Sequence, residues 1–304
     1  LKPYPEALGN SFGVGSFAQD DCFICRGGRQ SLISSGPIIV GASGGSGTRL
    51  IQAIIASRGV YMGNPLNASN DAVVMAAFLE ANVGPVLSHT RGPNYSLSDL
   101  PSAQRSATSA ALRTAIAEHL SQKPHGSELW GFKNPRSIFI LPFLKELAPD
   151  FRFVHVVRDG RDMALSKNRE QARRYFQTCF PGALATPDSA EAAIRMWGKV
   201  NCEALEWYEA HLPGRAVRVH YEALCVNPLD EVRSLLSALN LSTENIGSLT
   251  ASVRPSTGIG RWRNLPATER EALHSCASNA LEFFGYTSRA DKESVSGNQD
   301  TYPA

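Results

Sequence analysis

The sequence predicts an α/β fold: a single domain with a mostly parallel sheet flanked by helices. Three observations predict it. Short apolar runs alternate with longer segments whose apolar residues recur at helical spacing. The first of these runs, Pro37–Ser43 ("PIIVGAS"), is apolar without alternation, as a strand buried on both faces is. That run opens into a glycine-rich loop and then a helical pattern, so strand and helix are joined in the order that right-handed parallel crossovers use.

The elements follow in chain order. Residues 1–36 are rich in Gly, Ser and Pro without periodicity and read as a loosely structured leader. After the first strand, "TRLIQAIIASRG" is a helix that stops at Gly59. "DAVVMAAFLEANVG" and "PSAQRSATSAALRTAIAEHL" are two more helices. "LWGFKNP" ends a second strand, and "SIFILPFLKELAP" is the helix after it. "FRFVHVV" is a third strand, and its helix carries a cluster of cations. "TPDSAEAAIRMWGKVNCEALEWYEAH" reads as one long helix with Pro187 just inside its first turn. "RAVRVHY" is a fourth strand and "LDEVRSLLSALNL" its helix. Thr268 and Glu271 form a T-x-x-E capping box ahead of "REALHSCASNALEFFG". Residues 288–304 read as a flexible tail. No repeat or linker interrupts residues 37–287, which are read as one domain.

Composition narrows the function classes. The 304 residues carry a net charge of +2, with 43% hydrophobic and 19% charged residues. That is an ordinary globular composition, without the global field that grips nucleic acid or lipid. The charge is uneven, however. Between Phe151 and Phe176 seven cations meet three anions, a net of +4, which leaves the rest of the chain at −2. A local cluster suits a compact anionic ligand better than a long polyanion. Six cysteines are too few and too scattered for a disulfide scaffold, and Cys22 and Cys25 lack the second pair of a zinc site, so they read as structural or incidental. No run approaches the ~18 apolar residues of a membrane span. No signal peptide is visible, although the chain opens on Leu1 and leaves a removed tag, signal or anchor open. Asn67, Asn94 and Asn240 head N-x-[ST] sequons, a number near chance. Cytoplasm is the expected compartment, with a lumenal Golgi ectodomain as the alternative.

Two segments carry the chemistry. "GASGGSGTRL" (Gly41–Leu50) places four glycines, Ser and Thr within eight positions between strand and helix. Backbone N–H groups of such a P-loop-like turn curl around an anion, and the helix N-terminus adds its positive end. The expected contacts come from Gly44, Gly45, Ser46, Gly47 and Thr48, with Arg49 adding charge. This is not a Walker A loop: Gly47 runs straight into Thr48 without a Lys, and Ala42 stands where the first Gly is needed. The second segment is "VVRDGRDMALSKNRE" (Val156–Glu170), where a strand runs into Arg158 and Ser166 follows eight residues later. Arg at a helix start is the wrong sign for the dipole, which favours a ligand over a solvated face.

Taken together these segments resemble the sulfotransferases that use 3′-phosphoadenosine 5′-phosphosulfate (PAPS). In that family a [K/R]-S-G-T-T loop cradles the 5′-phosphosulfate, and Ser46-Gly47-Thr48 matches it. A motif R-D-x-x-x-x-x-x-S binds the 3′-phosphate, and Arg158 with Ser166 keeps its spacing. "VRVHYEALCVNP" is similar to the stretch whose Tyr approaches the adenine, here Tyr221. "GIGRWRNLPATE" is similar to the C-terminal loop that closes on the nucleotide, with Arg261 beside Trp262. The resemblance runs in order from Pro37 to about Glu271. It implies PAPS as co-substrate, adenosine 3′,5′-bisphosphate (PAP) as product and no required metal. The implied acceptor is a small molecule, a glycan or a peptide bearing a hydroxyl or amine.

The departures are specific. Gly45 stands where the family has a cation before S-G-T, and Arg49 or Lys133 is expected to replace that charge. Leu50 replaces the aromatic of the cytosolic branch. "GFKNPRS" keeps Lys133 but has Asn134-Pro135 where that branch has its catalytic His, and so looks closer to the tyrosylprotein and bacterial-type enzymes. In those the Lys helps stabilise charge on the transferring sulfonate. The general base stays open between Asp71, the first candidate, and His89 in "LSHTRGP"; His155 within a strand reads as core. Two other readings remain: a P-loop phosphoryl-transfer enzyme, and a non-catalytic nucleotide-binding relative.

Overall fold

The computed structural model describes residues 36–251 and 253–287. The leader, Cys22 with Cys25, and the tail lie outside the described residues, apart from Gly36 at the leader's end. Four strands form one all-parallel sheet in the order β2-β1-β3-β4: β1 (Ile38–Ala42), β2 (Gly131–Lys133), β3 (Arg152–Val157) and β4 (Ala216–His220). The register aligns Ile38 with Gly131 on one side and with Arg152 on the other, and Phe153 with Ala216. A Cβ on Gly131 would stand 2.0 Å from the Ile38 carbonyl oxygen, so the short edge strand needs glycine there.

The period-2 alternation of β1 divides the core. Ile38, Val40 and Ala42 pack with α1 (Thr48–Ala56) and, further along the chain, with Val232, Leu235 and Leu236. Ile39 faces the other way, into a larger core that takes in α2 (Val73–Thr90), α3 (Ser102–Ser121) and α4 (Leu141–Leu147). α5 (Gly160–Ala164), α6 (Glu170–Cys179) and α7 (Ala190–His211) complete that layer. After β4 come α8 (Tyr221–Val226), α9 (Pro228–Ala238), α10 (Ile246–Thr250), α11 (Ala267–Ser275) and α12 (Ser278–Phe283). From β1 the chain goes to β2 on one flank, and from β3 to β4 on the other. The point where the two directions part lies between β1 and β3, which is where open parallel sheets leave a crevice. No helix among the described residues is long and apolar enough to cross a membrane.

The four strands stand where the sequence placed them, but several helix boundaries move. The second helix does not stop at Gly84: α2 runs through Pro85 to Thr90, because Val83, Val86 and Leu87 are fully buried and their packing outweighs two poor helix formers. His89 is therefore on an exposed helical turn rather than in a loop. The helix read over "SIFILPFLKELAP" is broken. A 3₁₀ turn over Pro135–Phe139 ends at Ile140, and Pro142 then sits in the first turn of α4, where its missing N–H would have no helical partner. The cationic helix is two pieces, α5 and α6, parted where the Ser166 hydroxyl accepts the Asn168 N–H. Pro187 lies outside α7, whose cap is Ser189 accepting the Ala192 N–H at 3.0 Å. The capping box of Thr268 and Glu271 does not form: α11 begins at Ala267 with Pro266 as its cap, two residues earlier, and the Pro266 carbonyl accepts the Arg270 N–H at 3.0 Å. The last helix divides at Cys276 and Ala277, which lets α12 lie against Gly198 of α7, where a Cβ would meet Ala277 and Ala280 at 3.4 and 3.3 Å.

Candidate active site

β1, β2, β3 and β4 all point their C-terminal ends at one edge, and a cavity of about 550 Å³ opens there. Its floor is the turn after β1. Gly45 and Gly47 take φ of +91° and +90°, a left-handed geometry that glycine enters without cost. Gly47 is also pressed by a neighbour, since a Cβ on it would stand 2.3 Å from the Tyr221 ring. α1 then starts at Thr48 beside the cavity with no side chain capping it, although the Leu50 N–H donates back to the Gly47 carbonyl at 3.0 Å. Thr48 and Arg49 line the cavity, and Arg49 is exposed with no charged partner among the described residues. Ser46 behaves differently. It is buried and its hydroxyl donates to the Ser43 carbonyl at 2.6 Å, which holds the turn closed.

Arg158 leaves the end of β3 into the same cavity. It is 7% exposed, and its Nε and Nη2 are buried with no hydrogen-bond partner. Leaving buried donors of a charged group unmade costs about 1–3 kcal/mol or more, so this guanidinium suits an anion supplied from outside. Its carbon sits 5.0 Å from the centroid of the Tyr221 ring, which follows β4 directly. Tyr221 thus lies between the Gly47 turn and Arg158. Burial pushes its phenol above the ordinary tyrosine range. Three strand ends meet in that group: β1 gives the turn, β3 the guanidinium, β4 the ring.

β2 ends on Lys133, whose side chain is 1% exposed. Its Nζ donates to Asp71 Oδ1 at 2.6 Å and to the Ser69 carbonyl, which leaves one ammonium proton for the cavity that all three residues line. Burial pulls Lys133 below the ordinary lysine range, partly offset by Asp71 and reinforced by the nearby charge of Arg49. Asp71 is held in a clasp of its own: its N–H donates to Asn67 Oδ1 at 3.0 Å, and the Ser69 N–H reaches the same oxygen at 2.8 Å. Asp71 precedes the cap of α2 but spends its carboxylate on Lys133, so its place is not explained by the helix dipole.

The remaining expected residues are placed as follows. Ser166 lies at the break after α5, half-buried, and does not line this cavity. Arg261 is bonded to the Gly258 carbonyl at 3.0 Å and the Leu165 carbonyl at 3.3 Å. It therefore stands beside Ser166 in the chain's path rather than in the cavity wall. His89 does not reach the cavity. His155 is in the core, with Nε2 2.8 Å from Asn201 Oδ1, and burial lowers it to about 4. Sequence reasoning missed one wall. Glu80 on α2, Arg136 after β2, and Arg174 and Glu170 on α6 line the cavity as a chain of ion pairs, with Arg136 to Glu80 at 2.5 Å. Those two arginines hold the Glu80 carboxyl below its usual range. No motif marks these residues; only the packing of α2 against α6 brings them together. No group of three or more His, Cys, Asp or Glu could hold a metal among the described residues.

Residues 37–245 match the model of a sulfotransferase family. Among solved structures, the chain is similar to the sulfotransferase domain of the Synechococcus PCC 7002 olefin synthase, at 18% identity over 85% of this chain and 98% of that one, with a TM-score of 0.49. It is similar to a sulfotransferase from Alicyclobacillus acidocaldarius at 11% identity over 81% and 93%, with a TM-score of 0.49. A retinol dehydratase solved with androsterone and the inactive cofactor PAP shares 13% identity over 81% and 80%, with a TM-score of 0.42. No curated protein matches significantly.

Proposed function

The chain belongs to the sulfotransferase family, and from that premise we propose that it moves a sulfonate from PAPS to an acceptor hydroxyl or amine, without a metal. In the in-line step the acceptor oxygen or nitrogen bonds to sulfur while the bond from sulfur to the bridging phosphate oxygen breaks. The electron pair of that bond leaves with PAP, and the acceptor proton goes to a base.

The single observation that carries the reading is Arg158, a buried guanidinium with two unpartnered donors at the switch point of the sheet. Its planar fork fits a phosphate, where a lysine would be only a point charge. Tyr221, stacked with it, offers an aromatic face for the adenine. Gly44, Gly45, Gly47 and Thr48 present the uncapped start of α1 to the 5′-phosphosulfate. The spare ammonium proton of Lys133 reaches the sulfonate as charge builds on the bridging oxygen. Asp71 is the proposed base. It lines the cavity within 2.6 Å of Lys133, so one ion pair joins the group that stabilises the leaving charge to the group that takes the proton.

The test is turnover of sulfur-labelled PAPS with a panel of hydroxyl and amine acceptors, in the presence of a chelator. Label transferred to an acceptor, with PAP formed in equal amount, supports the proposal. ATP turnover that needs Mg²⁺, with PAPS left intact, would overturn it.

A further inference from the structure

Asp162 on α5 is 1% exposed, and its ion-pairing neighbours do not claim it: Arg161 pairs instead with Asp159 at 2.8 Å. Its two oxygens accept backbone N–H groups from far along the chain, Gly260 to Oδ2 at 2.6 Å and Trp262 to Oδ1 at 3.2 Å. Charge-assisted bonds of this kind are about twice as strong as neutral ones. Gly260 takes φ of +73°, a geometry that turns both N–H groups of the segment toward one acceptor. The Arg161 guanidinium carbon lies over the Trp262 ring, 3.5 Å from its centroid. Arg261, between the two clasped residues, reaches the Leu165 carbonyl next to Ser166. Two residues before Gly258, Ser256 lines the cavity with Arg158 and Tyr221, and its hydroxyl accepts the Gly258 N–H at 3.2 Å.

We propose that Asp162 is a positioning residue for the donor site: it clasps residues 258–262 so that Ser256 borders the cavity beside Arg158, at its 3′-phosphate end. It touches no substrate and acts through the segment. The inference rests on the proposed PAPS reading. A carboxylate is needed because it accepts two N–H groups at once, whereas an amide accepts with one end and turns a donor toward the other N–H.

The experiment is calorimetric titration of PAP and of adenosine 5′-monophosphate into wild type, Asp162→Asn, Ser256→Ala and the double variant. Asp162→Asn is expected to weaken PAP about tenfold, the scale of one lost charge-assisted bond, and to leave the monophosphate within about twofold. In the Ser256→Ala background the same change is expected to cost little more, because both act on one contact. Equal weakening of the two nucleotides, or effects that multiply independently, would overturn the proposal. If Asp162→Asn does not fold, Ser256→Ala alone decides: it must lose preference for the 3′-phosphate, and an unchanged preference sinks the idea. A wild type indifferent to PAP would instead mean that the donor reading itself is wrong.

Discussion

At the scale of the residue, the proposed reaction turns on Lys133. PAP lacks the sulfonate, so an ammonium aimed at the sulfonate contributes to turnover and not to product binding. Lys133→Met is expected to lower kcat about 10²–10³-fold while PAP affinity holds within about threefold, read by turnover and titration on one preparation. A parallel loss of PAP affinity would instead place Lys133 in ground-state binding. Burial also sets a pH dependence. Lys133 loses its proton below the ordinary lysine value of about 10.4, so kcat falls on an alkaline limb that starts early, and the limb vanishes in Lys133→Met. The residues legible in the sequence were those at strand ends, Lys133, Arg158 and Tyr221, because a strand end fixes where a side chain emerges. Glu80, Arg136 and Arg174 were not legible: three separate elements carry them, and their ion pairs exist only after α2 and α6 pack.

At the scale of the element, the turn after β1 does two jobs through one glycine. Gly47 adopts a left-handed φ and leaves room for the Tyr221 ring at a distance no Cβ tolerates. Gly47→Ala therefore meets a backbone penalty of roughly 1–2 kcal/mol and a steric collision besides. The expected result is a lower Tm together with lost PAP binding, checked by thermal melts with and without ligand. A fully stable variant that still bound PAP would show that the turn is not under this constraint. The four strands and their parallel sense were legible from apolar runs alternating with helical segments, whereas their order in the sheet was not. Helix ends were less so, and the reason differs by case. At α2 burial of Val83, Val86 and Leu87 overrode Gly84 and Pro85, whereas at α7 the Ser189 cap set the start and left Pro187 outside.

At the scale of the whole molecule, stability and function divide between the core and the strand ends. His155 sits fully buried in the middle of β3 and titrates at about 4, against about 6.5 in an unfolded chain. Between those values the unfolded state binds the extra proton, so stability is full above about pH 6.5 and is lost as pH falls toward 4, by on the order of 3 kcal/mol. Urea midpoints across that window are expected to fall steeply in wild type and less steeply in His155→Gln. The proposed donor site draws on the opposite feature, a protein of net charge only +2 that gathers cations at one edge of its sheet. Isothermal titration of PAP, without metal, into wild type and Arg158→Ala tests that account most directly, with adenosine 5′-monophosphate as the control. Tight binding that needs the 3′-phosphate and weakens tenfold or more without Arg158 is the predicted result, on the scale of about 1.5–3 kcal/mol for a charged contact. Binding indifferent to the 3′-phosphate or to Arg158 would contradict it.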